Sequence, residues 1–269
     1  MTQTLAVVGK GGTGKTTFAA LAIRRLVERG ETPILAIDAD PSANLNLALG
    51  MPLHQTVGQI REETQEQVSA GTFRRGISKP DWFEYQVLDC LEEGEGGVDL
   101  LAMGRPEGPG CYCAANHMLR HAIDSLGNAY RTVVIDNEAG MEHISRQTTR
   151  DVDWLFIISD PTVRGLDAAE HIVELIDALG TRIARAGLVM NRCPGVAGDG
   201  NGEPRWDGLP ELLAERARHV GVPVLGMLPD DPDVGAWDAL GKPLITLPQD
   251  GAINGAVAAL LDRTLDQTR

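Results

Sequence analysis

The chain has 269 residues, of which 43% are hydrophobic, and carries a formal net charge of −14. This length and composition suffice for one sizeable core, so we predict a single domain over residues 1–269. The acidic balance argues against a nucleic-acid partner, because nonspecific affinity for phosphates comes from Lys and Arg. With no apolar run of roughly 18 residues, no apolar secretion segment and only four cysteines, we expect a cytoplasmic protein without a membrane partner.

Short apolar runs rich in Val, Ile and Leu predict buried strands, because such runs suit a parallel sheet covered on both faces. They begin at Thr4, Pro33, Val98, Arg131, Trp154, Ala186, Val222 and Pro243. Helices are predicted over 15–29, 114–126, 165–179, 208–219 and 252–266. Residues 50–97 are less regular, and CLEEGEGG from Cys90 is interpreted as a polar surface connection. The alternation predicts an α/β fold with a doubly wound, mostly parallel sheet that binds ligands beyond the carboxyl ends of its strands.

The segment GKGGTGKTT, from Gly9 to Thr17, follows the first strand and opens the first helix, and it matches G-x-x-x-x-G-K-[ST]. Its glycines let backbone N–H groups and the helix N-terminus point at phosphates. We expect Lys15 to neutralise the β and γ oxygens and Thr16 to complete a Mg²⁺ shell, which predicts a P-loop NTPase. The expected nucleotide contacts are Gly11, Gly12, Thr13, Gly14, Lys15, Thr16 and Thr17.

Lys10 lies inside this loop, although the plain pattern requires no cation there. A second cation in a phosphate cradle is suited to stabilise charge during catalysis, as an arginine finger does. With this lysine the sequence resembles the ParA/MinD group of deviant Walker A ATPases. The resemblance implies that Lys10 reaches across an ATP-dependent homodimer to the partner's phosphates, so that two chains enclose two ATP molecules.

Carboxylates follow two of the predicted strands. Asp38 and Asp40 lie two residues apart in AIDADPSANL, so an extended backbone puts both on one side. The resemblance assigns Asp40 to orienting the attacking water and Asp38 to the magnesium environment, and a helix N-cap region is the alternative. Asp136 ends RTVVID, where a carboxylate can hold magnesium through water. Gly140 matches the second switch, whose backbone moves toward the γ-phosphate, unless NEAGMEH is an ordinary turn.

The base of the nucleotide is expected beyond two later strands. Asn191 ends AGLVMN, where a side-chain amide can read a base. GTPases of this broad class use Asn-Lys-x-Asp, whose aspartate reads guanine, whereas the stretch from Asn191 here is Asn-Arg-Cys-Pro. ATP is therefore favoured over GTP. Pro229 and Asp230 are candidates to line the base pocket, with a simple turn as the alternative.

Cys111 and Cys113 flank one tyrosine in GPGCYCAANHMLR. Such a pair supplies two soft ligands, whereas a tetrahedral thiolate site needs four. A two-fold dimer would supply the missing pair if this loop faces the axis. His117 and His121 follow one helical turn apart and are a second source of ligands, but the apolar residues around them place both toward solvent.

With GPGCYC, DNEAGMEHISRQTT from Asp136 and SDPTVRG from Ser159, the sequence resembles the CooC family of nickel-insertion ATPases of carbon monoxide dehydrogenase maturation, over essentially the whole chain. The resemblance implies that Cys111 and Cys113 bind a divalent transition metal, Ni²⁺ or Zn²⁺, at the ATP-dependent dimer interface. It also implies a carbon monoxide dehydrogenase-like client enzyme as partner. Cys90 and Cys193 have no close cysteine neighbour and are expected to be buried.

Other relatives of this class fit less well. The nitrogenase iron protein and its reductase relatives need a further cysteine after the Walker B region, and residues 137–150 contain none. A [4Fe–4S] cluster held by Cys111 and Cys113 of both chains remains the alternative. Division-site relatives end in a basic amphipathic membrane helix, whereas residues 251–269 have only Arg263 and Arg269 as cations and are expected to dock on the sheet.

Overall fold

The computed structural model describes residues 2–72, 76, 79–105, 126, 129–139, 151–176, 182–195, 206 and 208–266. The strands are β1 (Gln3–Gly9), β2 (Ile34–Asp38), β3 (Glu92–Glu93), β4 (Val98–Ala102), β5 (Thr132–Asp136), β6 (Asp151–Ser159), β7 (Arg182–Cys193) and β8 (Val224–Pro229). The helices are α1 (Lys15–Glu28), α2 (Leu45–Leu49), α3 (Val57–Ser69), α4 (Lys79–Asp89), α5 (Val163–Ile176), α6 (Glu211–Arg218), α7 (Pro232–Ala239) and α8 (Ala252–Asp266).

These strands form one sheet of eight strands in the order β3-β4-β2-β5-β1-β6-β7-β8. Every neighbouring pair is parallel except β3 and β4. The chain builds one side of the sheet first and then crosses β1 to build the other, so β1 lies where the winding reverses. The predicted doubly wound, mostly parallel sheet is confirmed, and its ligand site is expected beside β1.

Both faces of the sheet are buried, as the continuous apolar runs predicted. In β1, Leu5 and Val7 face one hydrophobic cluster and Ala6 and Val8 face the other, because successive side chains of a strand alternate between faces. The helices α1, α2 and α8 cover the first face, and α3 and α5 contribute to the second. Cys90 and Cys193 are both buried, as expected from the sequence.

The C-terminal helix α8 is part of the core. Leu260 and Leu261 are fully buried in the same cluster as the apolar side chains of α1. Asp262 of α8 accepts hydrogen bonds of 2.6 Å from Arg25 of α1 and from Arg29, the C-cap residue of α1, which fixes the two helices side by side. Among the described residues, no helix is both long enough and apolar enough to cross a membrane.

Two stretches differ from the sequence-based prediction. The run from Pro243 is a single 3-10 turn, Leu244–Thr246, and not a strand. Leu244 and Leu247, spaced three residues apart, are both buried, which a 3-10 turn achieves and an alternating strand does not. The segment CLEEGEGG contains the antiparallel edge strand β3 followed by a short turn, rather than a simple connection.

Residues 50–97 are also more regular than predicted, because they contain α3 and α4. Thr56 and Gln59 form a capping box at the start of α3, with a hydrogen bond of 3.3 Å from the Gln59 N–H to the Thr56 hydroxyl. Val57, Ile60 and Thr64 then recur on its buried face. The T-x-x-Q pattern and this spacing were the signals that sequence reasoning missed.

Replacing Leu261 with alanine tests whether α8 is part of the cooperative core. Leu261 is 0% exposed, so the substitution should lower the free energy of unfolding by about 2–5 kcal/mol. Urea unfolding followed by far-ultraviolet circular dichroism measures this change. The control is Leu212→Ala on α6, where the side chain is 61% exposed and the expected change is within about 0.5 kcal/mol. Equal effects of the two substitutions would contradict the docking of α8.

Candidate nucleotide site

The phosphate loop joins β1 to α1 in a conformation that needs glycine. Gly12 and Gly14 have φ angles of 81° and 92°, the left-handed region that glycine adopts readily. At Gly9, a Cβ atom would lie 2.2 Å from the carbonyl oxygen of Ile158 on β6. The loop therefore packs directly against the neighbouring strand. Gly14 is the N-cap residue of α1 and offers no side-chain cap, which leaves the first N–H groups of the helix available to an anion.

The two lysines of this loop differ in exposure. Lys15 is 8% exposed, and its Nζ lies 3.4 Å from the backbone oxygen of Lys10. Burial lowers the pKa of Lys15, while the nearby negative charges of Asp136, Asp40 and Glu138 raise it in part. The Lys10 side chain is exposed to solvent. Lys15 is thus directed into the site, and Lys10 is accessible from outside the chain.

Asp136 lies at the end of β5, next to the start of α1. Its Oδ2 accepts a hydrogen bond of 2.6 Å from the Thr16 hydroxyl, and its Oδ1 is buried without a hydrogen-bond partner among the described residues. Burial, together with the negative charges of Asp38 and Asp40, raises the pKa of Asp136 to about 7, although the Thr16 hydroxyl and Lys15 act in the opposite direction. A buried carboxylate oxygen without a partner beside a hydroxyl fits Mg²⁺, which prefers oxygen ligands and keeps several waters.

Asp38 and Asp40 flank the next strand end and have different surroundings. Asp38 is 1% exposed, and its two oxygens accept hydrogen bonds from the backbone N–H groups of Asp40 and Leu45, at 3.0 and 2.8 Å. Burial raises the pKa of Asp38 to about 6, although these hydrogen bonds lower it in part. Asp40 is half-buried, and its Oδ1 accepts a hydrogen bond of 2.8 Å from the Ser42 N–H. The structure thus brings Asp38, Asp40 and Asp136 to the same edge of the sheet as Lys15.

Asn191 connects the phosphate loop to the adjacent cavity. Its Nδ2 donates a hydrogen bond of 2.8 Å to the backbone oxygen of Thr13, and its Oδ1 is buried with no partner in the described part of the chain. A Cβ atom at Gly14 would lie 2.2 Å from this Nδ2. Gly14 is therefore needed for the contact as well as for the left-handed turn. The backbone oxygen of Thr13 can only accept a hydrogen bond, so the nitrogen of the Asn191 amide must face it. The Oδ1 of Asn191 is then left as an acceptor.

A cavity of about 520 Å³ lies next to the loop. It is lined by Thr16, Thr17, Asn191, Pro229 and Asp230, all expected from the sequence to contact the nucleotide. The remaining wall was not predicted and comes mainly from Asn44, Leu47, Arg192, α7 and the segment from Gly241 to Leu244. A cavity of this size matches small-molecule ligands.

The helix α7, which forms part of this wall, has a recognisable start in the sequence. Asp231 caps it, accepting a hydrogen bond of 3.0 Å from the Asp233 N–H, and Pro232 is its first residue. An Asp-Pro pair is typical of a helix start. Aspartate caps the helix, and the N–H group that proline lacks would have no partner within the helix at the first position.

Several predicted site residues lie outside the described residues, namely Cys111, Cys113 and Gly140. The same holds for His117 and His121, and for the predicted helix 114–126 apart from residue 126. Within the described ranges, no three His, Cys, Asp or Glu side chains are grouped so that they could hold a metal ion. The cysteine site thus stays a prediction from the sequence.

Comparison with known proteins agrees with this geometry. Residues 5–244 match the CobQ/CobB/MinD/ParA nucleotide binding domain. An uncharacterized ATP-binding protein of Methanocaldococcus jannaschii is 37% identical over 263 residues, which are 98% of each chain. The carbon monoxide dehydrogenase accessory protein CooC of Rhodospirillum rubrum is 35% identical over 190 residues, 66% of this chain and 75% of CooC. This match is shorter than the whole-chain resemblance expected from the sequence.

Two further similarities bear on the alternative of a bridging [4Fe–4S] cluster and on the fold. The light-independent protochlorophyllide reductase iron-sulfur ATP-binding protein of Pelodictyon phaeoclathratiforme is 27% identical over 239 residues, 85% of this chain and 77% of that protein. The structure of septum site-determining protein MinD from Pyrococcus horikoshii, complexed with Mg-ADP, aligns with a TM-score of 0.67 at 21% identity. That alignment covers 100% of this chain and 98% of MinD, so the two share a fold.

The buried carboxylates predict that the protein without nucleotide and Mg²⁺ loses stability as the pH rises from about 5 to 8. The folded pKa values of Asp38 and Asp136, about 6 and about 7, lie above the ordinary value of 3.8. At a pH between the ordinary pKa and the raised pKa of each group, the folded protein binds more protons than the unfolded chain. The free energy of unfolding therefore decreases as the pH rises. Each pKa unit corresponds to about 1.4 kcal/mol, and we expect a total loss on the order of 2–4 kcal/mol.

Chemical denaturation in EDTA at the two pH values measures this loss. Asp136→Asn is the control, since it removes one titrating group and should flatten the dependence. The carboxyl groups of Glu92 and Asp262 do not interfere, because their pKa values are lowered and they are already ionised in this range. A metal-free protein that is as stable at pH 8 as at pH 5 would contradict the burial of these two carboxylates.

Proposed function

Because this chain belongs to the CobQ/CobB/MinD/ParA nucleotide-binding family, we propose that it is a cytoplasmic, ATP-dependent metallochaperone that assists nickel insertion into a carbon monoxide dehydrogenase-like client. The chain is an ATP-binding P-loop ATPase of the MinD/ParA type. The observation that carries the finer proposal is its 35% identity to CooC over 190 residues, together with the Cys-Tyr-Cys segment at Cys111–Cys113.

In the proposed reaction, the backbone N–H groups of the phosphate loop and Lys15 bind the phosphates of ATP. Thr16 and Asp136 would hold Mg²⁺, which neutralises charge on the phosphate oxygens. A water molecule attacks the γ-phosphorus, and the bond to the oxygen of the ADP leaving group breaks. Asp40 orients this water: its Oδ1 is held by the Ser42 N–H, which leaves its Oδ2 to accept a hydrogen bond from the water.

Asn191 is proposed to favour adenine over guanine. One N–H of its Nδ2 is bonded to Thr13, and its Oδ1, which has no partner among the described residues, is left as an acceptor. The exocyclic amino group of adenine donates to such an oxygen, whereas guanine has a carbonyl oxygen at that position, and two facing acceptors leave each other unpaired. The cavity lined by Asn191, Pro229 and Asp230 would then receive the adenosine part of ATP.

Lys10 is proposed to couple ATP binding to dimerisation. Its side chain is exposed, as a residue must be if it reaches the phosphates of a second chain. A cation that enters the partner's site adds positive charge where negative charge accumulates during phosphoryl transfer. ATP would thereby stabilise the homodimer, and hydrolysis would release it.

The metal is proposed to bind between the two chains as cargo. Two thiolates from each chain would complete a tetrahedral set, and thiolate sites accept either Ni²⁺ or Zn²⁺. ATP would change metal affinity because only the closed dimer brings the four thiolates together, and a ligand shifts an equilibrium only when it binds the two states unequally.

A second candidate function is an ATP-dependent reductase with a [4Fe–4S] cluster bridging the dimer. The similarity to the protochlorophyllide reductase iron-sulfur ATP-binding protein favours it, and four thiolates also suit such a cluster. The absence of cysteine from residues 137–150 disfavours it. An absorption band near about 400 nm in anaerobically purified protein would identify the cluster, whereas Zn²⁺ has no such band.

Replacing Lys10 with alanine should leave ATP binding nearly intact and abolish ATP-dependent dimerisation. We expect kcat to fall at least about 100-fold, since charges supplied in this way contribute about 10³–10⁵ in related reactions. Phosphate release measures turnover, and analytical ultracentrifugation with a slowly hydrolysed ATP analogue measures dimerisation. The control is Arg182→Ala, which removes an exposed cation on β7 whose Nε lies 3.0 Å from Asp151, away from the site. Wild-type dimerisation of the Lys10 variant would exclude the proposed coupling.

Replacing both Cys111 and Cys113 with alanine should abolish metal binding while ATP binding is retained. Wild-type protein with ATP is expected to hold about one metal ion per two chains, because the tetrahedral site is shared. Elemental analysis after gel filtration measures this ratio. Cys90→Ala is the control, because that thiol is buried, which raises its pKa to about 12 and keeps it protonated. An unchanged metal content in the double variant would refute the cysteine site but leave the ATPase assignment intact.

A further inference from the structure

The carboxylate of Asp38 joins both ends of the segment that contains Asp40. Asp38 is the last residue of β2, in register with Ala102 of β4 and Asp136 of β5, so its backbone is fixed on both sides. Its Oδ1 accepts the Asp40 N–H at 3.0 Å and its Oδ2 accepts the Leu45 N–H at 2.8 Å. The segment between these two N–H groups, residues 40–44, is called the Asp40 loop below.

Asp38 also caps the helix that follows the loop. The N-cap residue of α2, Asn44, makes no side-chain cap hydrogen bond. The N–H of Leu45, the first residue of α2, bonds instead to Asp38. A carboxylate at this position satisfies a helix N–H and is favoured by the positive end of the helix dipole. One side chain from a strand therefore fixes where α2 begins and where the Asp40 loop ends.

The Asp40 loop is tightly wound between these two points. The Ala43 N–H bonds to the backbone oxygen of Asp40 at 3.0 Å, and the Ser42 N–H bonds to the Asp40 side chain. Ala43 has a φ of 46°, a left-handed conformation that disfavours residues with a Cβ. Such strain persists only where surrounding contacts hold the backbone in place. The bonds from Asp38 supply those contacts, and the Asp40 carboxylate is held by the same loop.

We infer that Asp38 is a positioning residue for ATP hydrolysis, which holds Asp40 in place to orient the attacking water. The inference rests on the proposed function, in which Asp40 orients that water. Asp38 is 1% exposed and both of its oxygens hold the loop, whereas Asp136 keeps a buried oxygen without a partner among the described residues, which makes Asp136 the better-placed ligand for Mg²⁺. Asp38 thus acts through Asp40 and not through the metal.

The test is Asp38→Asn, which is nearly isosteric but can accept at only one of the two positions. One loop end is released, since the new amide group is itself a donor facing a backbone N–H. We expect kcat to fall at least about tenfold, with KM for ATP and half-saturation by Mg²⁺ changed less than about threefold. Combined with Asp40→Asn, the loss should be no larger than for Asp40→Asn alone, because both act on the same step.

The matched control is Asp153→Asn. Asp153 lies on β6 and accepts the Thr4 N–H at 2.7 Å with a single oxygen, which the amide oxygen of asparagine can replace, so the same chemical change is made at a backbone-bonded carboxylate remote from the Asp40 loop without releasing backbone. It should leave kcat unchanged. If Asp38→Asn raises the Mg²⁺ requirement tenfold or more, Asp38 is a metal contact and the inference is wrong. If kcat is unchanged while Asp40→Asn is inactive, the inference alone fails, and if Asp40→Asn is fully active, the proposed role of Asp40 fails as well.

A second measurement needs no variant and covers the case in which Asp38→Asn does not fold. In the wild-type protein with a slowly hydrolysed ATP analogue, the amides of Asp40 and Leu45 should exchange with deuterium at least about 100-fold more slowly than unstructured peptide amides, because both bond to a buried carboxylate. Exchange of both amides at the unprotected rate would show that the loop is not fastened by Asp38 and would overturn the inference.

Discussion

The register of three parallel strands determines the site. The strand β5 lies between β1 and β2, and Asp136 is in register with Val7 on one side and Asp38 on the other. Because parallel strands end at the same edge, this pairing puts the phosphate loop, the Asp40 loop and Asp136 together. A slip of one residue in β5 would turn Asp136 to the opposite face of the sheet and separate it from Thr16. Hydrogen bonds at this strand end hold the register, from the Asn137 N–H to the backbone oxygen of Val7 and from the Ala39 N–H to the backbone oxygen of Asp136.

This arrangement carries an electrostatic cost that a nucleotide would offset. Lys15, Asp38 and Asp136 are each less than a tenth exposed, and burial disfavours the charged form of every one of them. Asp136 and Asn191 each retain a buried oxygen without a partner among the described residues. Buried polar atoms in folded proteins almost always have a hydrogen-bond partner. Their position beside the phosphate loop is the reason to connect them with a bound cation and a bound base.

The sequence predicted those parts of the fold that depend on local pattern. The phosphate loop could be found because its glycines and lysine are spaced for one geometry, and the strands because they are apolar on both faces. The helix α3 and the 3-10 turn at Leu244 were missed, since a capping box and a spacing of three are weak signals in a polar stretch. The two bonds of Asp38 were not predictable at all, because the spacing from Asp38 to Asp40 says nothing of Leu45.

In the described site, the polar side chains of Asp38 and Asn191 form hydrogen bonds to backbone groups of the loops. These bonds fix the positions of the loops. Asn191 bonds to the phosphate loop at Thr13, and Asp38 bonds to both ends of the Asp40 loop. Catalytic groups must stay within a fraction of an ångström of their working position, and loops alone are poorly suited to this. Because Asn191 also faces the cavity, a base that shifts its side chain would shift Thr13 as well. The cavity and the phosphate loop are therefore mechanically connected through one hydrogen bond.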